Sequence, residues 1–185
     1  MNTAVTSKEE ILETSRELIR RQGWSAVSIR SVAAGCGVSV GSIYNYFDSK
    51  TDLIGATVES VWCEIFHRPE DDAVFQDVQA CVAWMYQRMA YGCERYPGFF
   101  TLHSLGFLRE DKTAGKQRMQ QTWQHILAGL RSVLKQDVRI RPDAFTEQFT
   151  AEKFADVLFS QMLSALLRQD YDPSAVLEIV RRTLY

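Results

Sequence analysis

The chain lacks most of what would mark a membrane protein, a secreted scaffold or an enzyme. No apolar run reaches the roughly 18 residues that a membrane-spanning helix needs, and residues 1–10 show no basic-then-apolar leader. A cytoplasmic location without a membrane partner is therefore expected. The four cysteines (Cys36, Cys63, Cys81, Cys93) have no paired spacing, which argues against a disulfide framework or a zinc ribbon. His67, His103 and His125 lie far apart, and no glycine-rich phosphate loop is present. No catalytic residues, no metal site and no cofactor are expected. Strand alternation, internal repeats and low-complexity segments are also missing. So is any excess of positive charge: the formal net charge is -2.

What is present is a helical pattern of ordinary globular composition, with 46% hydrophobic and 24% charged residues. Ser7-Lys8-Glu9-Glu10 reads as a capping box, followed by Ile11, Leu12, Ser15, Leu18 and Ile19 at helical spacing up to Gly23. Ser49-Lys50-Thr51-Asp52 repeats the device and opens a helix with Leu53, Ile54, Val58, Val61, Trp62 and Ile65. A break follows at Arg68-Pro69. Apolar and aromatic residues resume near Phe75 and run to a stop at Pro97-Gly98. Phe99 to Leu108 reads as a short helix or irregular stretch, Gln117 to Leu134 as helix, and Arg139 to Thr150, holding Pro142, as loop. Phe154 to Leu167 is apolar almost all round, and Asp172-Pro173 reads as a cap before the last helix.

Residues 28–53 carry the most information. Ser28 caps a helix whose Ile29, Val32 and Ala33 share one face, and Gly37 ends it by taking a left-handed backbone. Ser39 then caps a second short helix, from Val40 to Phe47. Ile43 and Phe47 point one way, which leaves Val40, Gly41, Ser42, Tyr44 and Asn45 facing elsewhere. Gly41 costs such a helix about 1 kcal/mol relative to alanine, a cost that makes sense where another backbone must come close. Two short helices joined by a tight turn present the second helix to a DNA groove. Ser42 and Tyr44 are then candidates for base edges, and Val40 and Gly41 for bases or thymine methyls.

The spacing of Val32-Ala33, Cys36-Gly37-Val38-Ser39, Gly41, Tyr44, Tyr46-Phe47, Lys50 and Leu53, with Gly23-Trp24 upstream, resembles the DNA-binding domain of the tetracycline-repressor (TetR) family. The resemblance covers about residues 7 to 66. Cys36 replaces the usual alanine, and Val40 stands where lysine is frequent. The resemblance implies an all-α chain of about nine helices: a three-helix helix-turn-helix head (1–48), a linking helix (49–66) and a helical ligand-binding and dimerisation body (67–185). It implies Ser28, Ser39, Tyr44, Tyr46 and Lys50 as DNA-backbone contacts, and a ligand-responsive repressor on a palindromic operator. Lys50 sits in a helix's first turn, where a cation opposes the dipole, which favours a phosphate partner. Within residues 1–50, six basic residues meet five acidic ones, so binding must use a few well-placed cations, hydroxyls and helix ends.

A small head reads little sequence alone, so a homodimer with recognition helices about 34 Å apart, or a multiple of that, is expected. Leu158, Met162, Ala165 and Leu166, with Ala175, Val176, Ile179 and Val180, are the expected seam, as a four-helix bundle across a two-fold axis. An ordinary internal core is the competing reading of the same residues. Trp84, Met85, Met89, Phe99, Phe100, His103, Phe107, Met119, Trp123 and Phe159 suggest a pocket for a small apolar or aromatic effector, or else simple core packing. Three rival readings have thinner support. Cys63 and His67 could share a metal, Cys81 or Cys93 could sense redox state, and the 39–50 surface could meet protein instead of DNA.

Overall fold

The structure, a computed structural model, describes the backbone of residues 6–66, 72–100 and 113–185, and side chains within 6–66, 74–100 and 120–185. The described residues are helical and contain no strand. Among the described residues there are eight α-helices: α1 (Lys8–Gln22), α2 (Ile29–Gly35), α3 (Val40–Tyr44), α4 (Lys50–Ile65), α5 (Val78–Arg95), α6 (Thr113–Gln136), α7 (Ala151–Arg168) and α8 (Ser174–Leu184). Two 3-10 turns, Trp24–Ala26 and Asp72–Gln76, complete the set. The break at Arg68-Pro69 and most of the stretch from Phe99 to Leu108 lie outside the described residues. No described helix is long and apolar enough to cross a membrane.

The chain packs as two compact units, one of Met1–Ile65 with Gly92–Gln120, the other of Phe66–Tyr91 with Gln121–Tyr185. The first unit joins the head and the linking helix, breaks after Ile65 beside the sequence boundary at 66, and takes in Gly92–Gln120; within it α4 packs on α1. Phe99, fully buried, is the hub. Its ring lies 5.9 Å from Trp24, 6.2 Å from Trp62, 6.3 Å from Tyr96 and 5.3 Å from Phe100. Tilted and edge-on aromatic pairs of this kind add to what area burial already contributes.

Charge reinforces the same unit. Arg16 pairs with Glu9, Glu13 and Glu64, and Arg20 with Glu13, Glu17 and Glu64, while Arg95 reaches Glu64 at 3.1 Å. Arg20 also donates to the Tyr96 hydroxyl at 3.0 Å. Burial and the neighbouring Glu64 carboxylate push the Tyr96 phenol well above its usual range. Close backbone approach sets the helix contacts: a Cβ at Gly35 would lie 2.6 Å from Thr14 Cγ2, and one at Gly92 2.6 Å from Ile65 Cδ1.

In the second unit, the loop after α6 caps the start of α5. Asp137 accepts from the Val78 amide at 3.1 Å, and Arg139 bridges Asp137 and Asp77, 2.8 Å from each. Asp77 also accepts from the Ala80 amide at 3.0 Å. The expected loop from Arg139 to Thr150 is a run of turns and bends. Thr150 caps α7, and Asp172 accepts from the Ser174 amide at 2.9 Å to start α8. Gln169 ends α7 with φ 54, the left-handed position that glycine usually fills.

Candidate nucleic-acid interface and body cavity

The turn between α2 and α3 is built by local bonds. Ser28 and Ser31 form a reciprocal capping box, with the Ser31 amide donating to Ser28 Oγ at 3.1 Å and the Ser28 amide to Ser31 Oγ at 2.9 Å. Gly37 takes φ 66, and the Val38 amide reaches back to the Ala33 carbonyl at 3.0 Å, closing α2. Ser39 restarts the chain by accepting from the Ser42 amide at 3.1 Å, and the two hydroxyls lie 2.9 Å apart. The recognition helix is shorter than the sequence suggests. After Tyr44 the chain tightens into i to i+3 bonds, Asn45 to Ser42 at 3.3 Å and Tyr46 to Ile43 at 3.0 Å.

Two side chains hold this helix down. Ile43 is 0% and Phe47 1% exposed, whereas Val40 is 40% and Tyr44 49% exposed on the outer side. Gly41 and Asn45 are exposed and Ser42 is half-buried. Among the described residues, a Cβ added to Gly41 would meet only Ser39 Oγ, at 3.6 Å, so none of them demands a glycine there. The exposed rim is therefore small and flat, carrying hydroxyls, an amide and one aromatic ring.

The remaining head residues divide by occupation. Ser28 is half-buried with its hydroxyl inside the capping box. Tyr46 is partly exposed, but its hydroxyl donates to the Thr6 carbonyl. Lys50 is exposed in the first turn of α4, beside the cap in which Ser49 accepts from the Asp52 amide at 3.1 Å. Among the basic residues of the head, Arg16, Arg20 and Arg21 are held by carboxylates. Lys8 sits 5.7 Å over the Phe47 ring. Lys50 and Arg30 are exposed and enter no ion pair among the described residues. Arg30 joins the candidates only here, because ion-pair occupancy is invisible in a list of basic residues.

In the second unit a cavity of about 450 Å³ opens between the helices. Helix α5 supplies Cys81, Trp84 and Met85, with Phe66 and Phe75 beside them. Helix α6 supplies an apolar row, Ile126, Leu130 and Val133, and next to it His125, Gly129, Ser132 and Gln136. Of the pocket residues expected from sequence, Trp84 and Met85 line this space. Met89 is fully buried and does not line it, and Trp123 packs on Phe159 at 5.8 Å instead. Phe99 and Phe100 belong to the aromatic hub of the first unit, because their rings are consumed by Trp24 and Trp62. His103 and Phe107 lie outside the described residues, as does the side chain of Met119. The proposed metal partner of Cys63, His67, is outside them too. Burial pushes the Cys81 thiol up to about 12, helped by the nearby Asp77 charge, so it stays protonated.

The expected dimer residues are placed differently by the fold. Leu158, Met162, Ala165, Leu166, Val176 and Val180 are buried within this one chain. Ile179 is 48% exposed, in company with Val157 at 44% and Leu167 at 60%. Ala175 is exposed as well. Helical spacing marks both faces of an apolar helix and does not say which one the chain itself uses.

Residues 11–57, from α1 into α4, match the family described as "Bacterial regulatory proteins, tetR family". An uncharacterized HTH-type transcriptional regulator, YerO of Bacillus subtilis (strain 168), is 38% identical over 52 residues, 28% of this chain and only 18% of that protein. The nucleoid occlusion factor SlmA of Escherichia coli (strain K12 / DH10B) is 26% identical over 173 residues, covering 89% of this chain and 84% of its own. Among solved structures, the transcriptional regulator FadR from Bacillus subtilis, in complex with stearoyl-CoA, superposes with a TM-score of 0.68 at 16% identity, over 97% of this chain and 100% of that one. The match to the tetR family model is thus confined to residues 11–57, the head, while the chain as a whole is similar to these regulators in fold.

Proposed function

We propose that the chain is a ligand-responsive transcriptional repressor that grips a palindromic DNA operator as a homodimer, one α3 from each copy entering successive major grooves. The observation that carries this reading is the outer side of α3. Ser39, Val40, Gly41, Ser42, Tyr44 and Asn45 form a rim fixed from behind by Ile43 and Phe47, with no use for the glycine among the described residues. Serine hydroxyls and an asparagine offer hydrogen bonds to base edges, and the exposed valine suits a thymine methyl. Arg30 and Lys50 supply phosphate contacts that set the register without reading sequence.

A small molecule in the body cavity acts on this grip by preferring one of two arrangements of the dimer. Coupling of this kind is typically about 1 to 3 kcal/mol, enough to change operator occupancy severalfold or more. The FadR relative was solved with stearoyl-CoA, which supports effector binding on this fold. The mechanism calls for no cofactor and no catalytic residue, and its DNA partner places it in the cytoplasm.

Selection of bound duplexes from a random pool, using the full chain, tests the reading. The expected product is an inverted repeat whose half-sites are about one helical turn, or a multiple, apart. Recovery of no enriched sequence, or of one unpaired half-site bound by a monomer, would overturn it.

A further inference from the structure

The recognition helix and its cap carry no charge. Residues 39–45 read Ser-Val-Gly-Ser-Ile-Tyr-Asn, without arginine, lysine, aspartate or glutamate. The bidentate arginine or lysine contact to guanine is therefore not available from this helix, and neither is the carboxylate contact to the amino group of cytosine. Its two hydroxyls discriminate little between bases. Ser39 Oγ accepts from the Ser42 amide at 3.1 Å and lies 2.9 Å from Ser42 Oγ. One of the two hydroxyl hydrogens is spent between them, and the other suits a phosphate or any base acceptor.

Val40 is what this helix offers where base edges are read. In a helix-turn-helix the first residues of the second helix meet the bases. Val40 opens α3 directly after the Ser39 cap, whereas Asn45 closes it at the other end. Val40 is 40% exposed. A β-branched side chain in a helix holds essentially one χ1 rotamer, so its two methyl groups are presented at a fixed place. Gly41 beside it has no side chain to shield them. Tyr44, four residues on and 49% exposed, shares the face and extends the apolar edge. Ile43 and Phe47, both buried, keep the helix from turning another side outward.

We infer that Val40 reads the C5 methyl group of a pyrimidine, and that this contact is the main base discrimination made by α3. In the major groove thymine alone among the four bases presents an apolar group, its C5 methyl. Cytosine methylated at C5 places the same group at the same position. The inference rests on the DNA reading above and gives the operator a base class. Each half-site holds a thymine against Val40, and at that step 5-methylcytosine is bound better than cytosine.

The duplex recovered by selection from a random pool is the probe, titrated with the full chain. Each thymine is replaced in turn by deoxyuridine, which removes the C5 methyl and keeps every hydrogen-bonding group. One thymine per half-site is expected to stand out, its loss weakening binding about fourfold, or about 0.8 kcal/mol, the worth of one buried methylene. With a cytosine–guanine pair at that step, methylating the cytosine at C5 should strengthen binding by about the same fourfold factor. Val40→Ala removes two methyl groups from an exposed position, so its melting transition should stay close to that of the wild type. This variant is expected to bind the thymine and deoxyuridine duplexes alike, a coupling that the double-mutant cycle reads directly. If no thymine shows the loss, or if Val40→Ala keeps it in full, the inference is overturned and the DNA reading stands. If no operator is recovered at all, the DNA reading falls and takes the inference with it.

Discussion

Tyr46 donates its phenolic hydrogen to the backbone carbonyl of Thr6, tying the end of the recognition unit to the residue that precedes the α1 cap. The tie adds to the burial of Ile43 and Phe47 and to the packing of α3 on α2. In the proposed reading, a tyrosine whose hydroxyl is already used within the chain would serve DNA binding by holding the helix in place. Tyr46→Phe is therefore expected to lower unfolding stability by about 0.5 to 1.5 kcal/mol, the net worth of one hydrogen bond. Chemical denaturation measures it. Unchanged stability with weakened operator binding would instead assign the hydroxyl to a phosphate.

Gly41→Ala should move stability and function in opposite directions. The added methyl meets only Ser39 Oγ at 3.6 Å, and alanine is the better helix former by about 1 kcal/mol. The variant should melt higher. On DNA the same methyl intrudes between α3 and its groove, and operator affinity should fall about tenfold or more. Paired melting and gel-shift titrations check both signs. A variant that melts higher with undiminished affinity would remove Gly41 from the interface.

Lys50 and Arg30 are exposed and enter no ion pair among the described residues, so each should act through phosphate. Replacing either by alanine is expected to weaken binding about equally on all sequences. The dependence of log affinity on log salt should become shallower by about 1 per contact. Arg21→Ala is the control, since Arg21 is held by Glu17. A full salt slope in the Lys50 variant would assign that lysine to solvent.

The head was legible because its signals are local. Ser7, Ser28, Ser39 and Ser49 each accept from the amide three residues ahead, and four helix starts can be read from the residues themselves. What could not be read was long-range. Nothing near Phe99 in sequence announces Trp24 and Trp62, so its ring reads equally well as pocket or core. Asp137 caps Val78 from 59 residues away, and Gln169 takes the left-handed turn that a glycine would have signalled. In the body, periodic apolar residues marked the helices correctly, but their inner and outer faces could not be told apart.

Asp137 gives the fold a pH dependence of definite sign. Hydrogen bonding to Arg139 is the main cause holding its carboxyl well below the usual range, against burial, with the Tyr185 hydroxyl adding to it. A carboxyl lowered in the folded state contributes stability that is present above its unfolded pKa of about 3.9 and is lost as pH falls through the folded value. Asp137→Asn should thus cost about 1 to 3 kcal/mol at neutral pH, through the weakened partners Val78 and Arg139. The gap between wild type and variant should narrow as pH drops below about 4. Denaturation curves from neutral to acid pH measure this. A gap that is constant over that range would mean that the lost stability is packing and not charge.

The two-fold assembly is best tested by separating residues that hold the monomer from residues left outside it. Met162 is 3% exposed, so Met162→Ala should cost about 2 to 5 kcal/mol by leaving a cavity in the chain's own core. Leu167 and Ile179 are 60% and 48% exposed, so replacing both by glutamate should leave the monomer's melting transition largely unchanged. In a homodimer sealed by α7 and α8, the same pair places carboxylates in an apolar contact, where burial of unpaired charge is strongly unfavourable. Sedimentation at micromolar concentration should then shift from dimer to monomer, and affinity for a full palindrome should fall toward that for a half-site. A glutamate pair that still sediments as a dimer would place the seam on another face and leave the exposed leucine and isoleucine as ordinary surface.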